Sequence, residues 1–123
     1  MIARTTLLSY ADEILDGHIA LGPRAARTAA LLARMALEDW LNEQCVAWCP
    51  AGQKSPTMTS KLIVLGRNKG ADVGERARRV WHALSQAVHH HAYELQPSSA
   101  EVRQLVGQVK GLAATAGPAP LSS

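Results

Sequence analysis

The chain contains no phenylalanine, and its aromatic residues are three tryptophans and two tyrosines, 4% of 123 residues. A β-sandwich core would draw on aromatic and β-branched side chains, and β-branched runs are nearly missing as well. No apolar stretch approaches the eighteen or so residues that span a bilayer, and no signal-peptide pattern opens the sequence. Cysteine is limited to Cys45 and Cys49, four apart on an expected helix end, where disulfide geometry is rarely met. These absences point to a reduced, cytoplasmic, all-helical protein. The net charge of +3 is mild. Lys61, Arg67, Lys69, Arg76, Arg78 and Arg79 are concentrated in one stretch, so RNA or another polyanion is allowed but not demanded.

What is abundant is alanine, leucine and valine. Forty-seven per cent of the residues are hydrophobic, enough to fill one core, and small side chains favour close helix packing. The organising stretch is 75–95, ERARRVWHALSQAVHHHAYEL, read as one helix with two faces. At 100° per residue, Ala77, Val80, Trp81, Leu84, Ala87, Val88, His91 and Leu95 form an apolar stripe. Arg78, His82, Ser85, Gln86, His89 and Tyr93 form a second, polar stripe that lacks the Lys and Glu of an ordinary solvated face. It is a candidate site or subunit interface.

Taken in order, 5–21 is an amphipathic helix with Leu7, Leu8, Ala11, Ile14, Leu15 and Ile19 on one side, weakened late by Gly17. Gly22-Pro23 breaks the chain, and proline at the first helical position opens a long second helix to about Val46. Its apolar face (Ala26, Ala30, Ala33, Leu37, Trp40, Leu41 and Cys45) is broad enough to make it the central helix. Arg34 and Glu38, one turn apart, are placed to pair. Residues 48–56 form a loop rich in proline and glycine. Thr57 caps a short helix, 58–65, ended by Gly66. A polar connector, 67–71, follows. Asp72-Val73-Gly74-Glu75 has the form of a capping box for the organising helix, and Ser98-Ser99-Ala100-Glu101 has it for a last helix, 99–114. The tail rich in Pro, Ala and Ser is expected to be disordered. One domain, 5–114, accounts for the rest, with 115–123 as tail.

Three consecutive histidines invite a metal reading, but His89, His90 and His91 point 100° apart and cannot converge on one ion. His82 and His89 share a face. With Cys45 and Cys49 they would make a Cys2His2 set, but without the zinc-finger spacing. Cysteines packed as small hydrophobes are the plainer reading, and neither metal nor cofactor is expected. Ser85 and His89 could form a nucleophile pair, yet no strained turn presents the serine. Gly66-Arg67-Asn68-Lys69-Gly70 lacks the spacing of a phosphate-binding loop. A helix-turn-helix is disfavoured by a connector of eight to ten residues.

The order of elements resembles the HEPN superfamily of small helical bundles. The likeness rests on Arg34-Met35-Ala36-Leu37-Glu38 in a central helix and Ser60-Lys61-Leu62-Ile63-Val64-Leu65 in a short one. Leu84-Ser85-Gln86-Ala87-Val88-His89 follows in a long helix, then a Pro-Ser-Ser-Ala-Glu start to the last. The resemblance implies a homodimer. It also implies either a metal-independent ribonuclease of toxin, antiviral-defence or RNA-processing systems, or a binding module that has lost the activity. The family signature is an arginine, usually followed by a polar residue, with a histidine four to six residues on. Here the signature is degenerate. With His89 as the histidine, Leu84 occupies the arginine position. Arg76 and His82 satisfy the spacing but lie about 120° apart on one helix.

These readings combine into an all-α, up-and-down bundle of four to five helices, HEPN-like and homodimeric, acting as a non-catalytic binding or regulatory module with an RNA or protein partner and no membrane association. Ser85, Gln86 and Tyr93 are the binding candidates. The alternatives are an endoribonuclease using His82 and His89 with Arg78, and a structural interaction factor.

Overall fold

The computed structural model describes residues 3–46, 57–89 and 97–115, without the side chains of 45, 46 and 115. All regular structure among them is helical: α1 (Arg4–Leu15), α2 (Ala25–Val46), α3 (Met58–Lys69), α4 (Ala71–Val88) and α5 (Ser99–Thr115), with a 3-10 turn at Gly22–Arg24. The expected all-α bundle is what the chain forms, with α2 packed against the four other helices.

Helix α2 can occupy the centre because its inward faces are small. Ala26, Ala29, Ala30, Ala33 and Ala36 are buried beside Leu37, Trp40 and Leu41. Alanine lets helix axes approach from several sides, and the larger side chains fill the spaces left between. Ion pairs set the register around it. Arg4, at the start of α1, reaches Asp39 and Glu43 near the end of α2 at 3.7 and 3.0 Å. Lys110 of α5 bonds Asp12, and Arg103 lies 2.9 Å from Asp16. Thus α1 runs antiparallel to both α2 and α5. The α5 side is closed by Val102, Val106, Val109 and Leu112, all buried.

Helix α1 stops six residues before the expected end. Gly17 adopts φ +83°, its N–H bonds Ile14, and the His18 N–H bonds Glu13. This is a Schellman closure, which satisfies the last carbonyls through a left-handed glycine. Ile19 and Leu21 still pack on the core from outside the helix.

Further departures lie between α3 and α4. Thr57 caps α3 as expected, its Oγ1 accepting from the Ser60 N–H at 3.1 Å. The helix then runs through Gly66 to Lys69, and α4 begins at Ala71. The connector is Gly70 alone, at φ +106° and ψ 151°, a conformation essentially confined to glycine. No capping box forms at Asp72, which lies inside α4's first turn. Gly74 is buried within α4 against Gly66 of α3. A Cβ placed on Gly74 would stand 2.6 Å from the Gly66 Cα. The missing side chain at Gly74 therefore lets the backbones meet where a Cβ would separate them. A one-residue link is also shorter than the three- or four-residue turn of a helix-turn-helix, so that motif is unmatched for the opposite of the expected reason.

Helix α4 buries Ala77, Val80, Leu84 and Ala87, with Trp81 and Val88 partly covered. It ends at Val88, with His89 as C-cap, earlier than the expected Leu95. His90, His91, Tyr93 and Leu95 lie outside the described residues. The serine half of the second expected capping box opens α5: the Ser98 Oγ accepts from the Glu101 N–H at 3.0 Å, and the Ser98 hydroxyl points to the Glu101 carboxylate at 3.3 Å.

Candidate functional site

The polar stripe of α4 is presented on the surface, and its members are drawn to different neighbours. Arg78 donates from Nε and Nη2 to the two oxygens of Glu75, at 3.0 and 2.6 Å. Arg79 donates to the same carboxylate at 2.9 Å. The hydrogen bonds from Arg78 and then Arg79 hold the Glu75 carboxyl down at about 2. The same bond raises Arg78 above its ordinary range. One carboxylate flanked by two guanidiniums is a stable surface arrangement of the three-four spacing. Glu75 was expected to cap the helix and does this instead.

His82 is exposed, and with Arg78, Ile63, Leu62 and Thr59 it lines a shallow groove of about 250 Å³ over the α3–α4 contact. His89 lies seven residues on, about 10 Å along the axis, and faces another helix. Its Nε2 stands 3.1 Å from the Nη1 of Arg34 on α2. An arginine can only donate, so Nε2 is the accepting atom of this contact. The same guanidinium lies 4.6 Å from the centroid of the Trp81 ring, within cation–π range. Arg34, expected to pair with Glu38, instead ties α2 to two residues of α4. Ser85 lies one turn from both Trp81 and His89. Its Oγ is buried without a hydrogen-bond partner, so no serine–histidine nucleophile pair is assembled.

The structure therefore brings Arg78 and His82 to one groove and sends His89 to another place. Gln86 is exposed, and Tyr93 lies outside the described residues. No group of three or more potential metal ligands comes together among the described residues, whereas Cys45 and Cys49 fall outside the described side chains. Sequence reasoning missed Arg34 and the exposed part of Trp81. The periodicity places both next to core positions, but only the packing of α2 on α4 shows that the guanidinium stacks on the indole.

Beside Arg34 on α2, Leu31 and Met35 are 42% and 43% exposed, and Ile63 of α3 is 56% exposed. The fold and this surface define a small all-α bundle whose polar stripe adjoins exposed apolar side chains. No helix among the described residues is long and apolar enough to cross a membrane. No protein-family model matches the chain, and neither curated proteins nor solved structures yield a match.

Proposed function

We propose that the chain is a HEPN-like, homodimeric binding or regulatory module of a toxin, defence or RNA-related system, without catalytic activity of its own. The system is carried by the resemblance in helix order; the absence of catalysis is carried by Arg78. Metal-free cleavage of RNA needs a free cation beside the phosphate, and an acid and a base at the scissile bond. Arg78 is already engaged by both oxygens of Glu75, and this exposed pair would have to open before Arg78 could face a phosphate. His82 and His89 serve separate surfaces.

Self-association is supported by the outer face of α2. Leu31 and Met35 lie one turn apart there and are both exposed. A two-fold axis near position 33 lays Leu31 on the partner's Met35. An isologous contact must be self-complementary in this way.

The test is RNA cleavage in EDTA by the intact chain and by a His82→Ala/His89→Ala variant, with elution volume recorded for both. Both histidines are exposed, so the variant is expected to fold. A dimer that binds RNA or a protein without cutting RNA is the expected result. Cleavage that disappears in the folded double variant overturns the non-catalytic reading, and would make Arg34, which already touches His89, the cation to replace next. A monomer at high concentration overturns the dimer.

A further inference from the structure

Helices α3 and α4 are separated from a single helix by the conformation of one residue. The ladder of i to i−4 bonds runs up to Gly70, whose N–H bonds the Gly66 carbonyl at 3.1 Å. It resumes from the same residue, with the Gly74 N–H on the Gly70 carbonyl at 3.1 Å. Only Gly70, at φ +106° and ψ 151°, turns the chain back. No side chain caps α4 there, so the N–H groups of Ala71, Asp72 and Val73 are the donors that a helix start leaves over. In an uninterrupted helix they would bond the carbonyls of Arg67, Asn68 and Lys69.

The apolar faces agree with such a helix. Counted at 100° per residue from α3 straight through Gly70 into α4, Leu62, Leu65, Val73, Ala77, Val80 and Leu84 fall within about 120° of one another. All of them belong to the core or pack on it, and a stripe of that width is what one core-facing helix presents. A straight helix cannot keep α3 folded against its own α4, so a second copy must supply those contacts. Gly66 and Gly74 stand equally far from Gly70 on either side. A two-fold axis at Gly70 therefore sets each chain's Gly66 on the partner's Gly74, and the close backbone approach that a Cβ at Gly74 would block is made twice.

We propose that Gly70 is the hinge of a domain exchange between two copies of this chain. With Gly70 helical, α3 and α4 form one rod, and the unit α1–α3 of each copy packs on the partner's α4 and α5. Contacts now made within one chain, such as Asp16 with Arg103 and Asp12 with Lys110, then pass between chains. Away from the hinge, every buried contact is one that the closed bundle already makes, and short connections are where such exchange begins. The exchange does not depend on the α2 contact proposed above, which leaves Asp12 and Lys110 of one chain together.

The test joins Lys110 to Asp12 with a zero-length carbodiimide cross-link. Isotope-labelled and unlabelled full-length chains are unfolded together, refolded at high concentration and separated by size, and the cross-linked peptides of the dimer are weighed. The expected result is pairs that join labelled to unlabelled peptide as often as chance allows. Gly70→Ala disfavours the returning conformation and favours the helix, so it should raise the exchanged fraction at least about tenfold. A Gly-Ser-Gly insertion after Gly70 gives the turn slack and interrupts the rod, and should remove the mixed pairs. The proposal is overturned if every pair stays within one chain in the intact protein and in Gly70→Ala, or if neither forms a dimer. It is equally overturned if the insertion leaves the mixed pairs unchanged, a comparison with the intact protein that decides the matter even where Gly70→Ala does not fold.

Discussion

The bundle contains two helix pairs joined through a left-handed glycine, and they are built on different principles. In α1–α2, Gly17 closes the first helix, several residues follow, and the contact is made by side chains: Leu7, Leu8, Ala11 and Ile14 against the alanine-rich face of α2. In α3–α4, Gly70 is the whole connection, and the backbones meet at Gly66 and Gly74. Side-chain interfaces leave a periodic apolar signature in the sequence. A backbone-on-backbone interface leaves two glycines, which read equally well as helix ends. The apolar faces of the first pair were therefore foreseen although α1 ends six residues early, and the second pair was divided at the wrong places.

The difference can be broken most forcefully at the seam where α4 enters the shared core. Leu84 is fully buried, and Leu84→Asp would bury an uncompensated carboxylate, a loss above about 4 kcal/mol that should abolish the cooperative thermal transition. Next comes Gly74→Ala. Its Cβ would lie 2.6 Å from backbone with no side chain able to yield, so the helices must part, at about 1–3 kcal/mol by denaturant melting. Gly66→Ala is the control: its Cβ meets nothing nearer than 3.8 Å and the position is helical, so it should be neutral or stabilise by up to about 1 kcal/mol. Equal losses at both glycines would dissolve the distinction between them.

The two linking glycines sharpen the same comparison at smaller scale. Gly70→Ala should cost about 2 kcal/mol, since it strains the only residue joining α3 to α4. Gly17→Ala should cost about 1 kcal/mol, because its φ is disfavoured but the chain beyond it can adjust. The smallest effect concerns charge. The Glu75 carboxyl, titrated by its carbon resonance, should show a midpoint near 2, and Arg78→Ala should move it toward the ordinary carboxylate range. Since the folded value lies below the unfolded one, the stabilisation by this pair is complete above the ordinary carboxylate range and is lost as pH falls through about 2.

The candidate site was legible to the extent that it depends on one helix. Arg78, His82, Ser85, Gln86 and His89 were placed on a polar stripe from angular spacing alone, and the described ones stand outside the α4 core face. What spacing could not give was their partners. Glu75 has the same three- and four-residue reach to Arg78 and Arg79 as it has backward to a cap, and competition among local hydrogen bonds decided the outcome. Arg34 is fifty-five residues from His89, a separation on which helical periodicity is silent.

The sequence by itself determined that this chain is helical and where most of its apolar faces lie. Local rules of propensity, capping and the 3.6-residue repeat act within a few residues, and composition favoured helices over a sheet. Tertiary structure decided where helices stop at glycine, since Gly17 turns left-handed in open space while Gly66 and Gly74 stay helical to permit close contact. It also decided which surface charges are committed. Both outcomes depend on atoms brought together from distant parts of the chain, whose energies no local pattern contains.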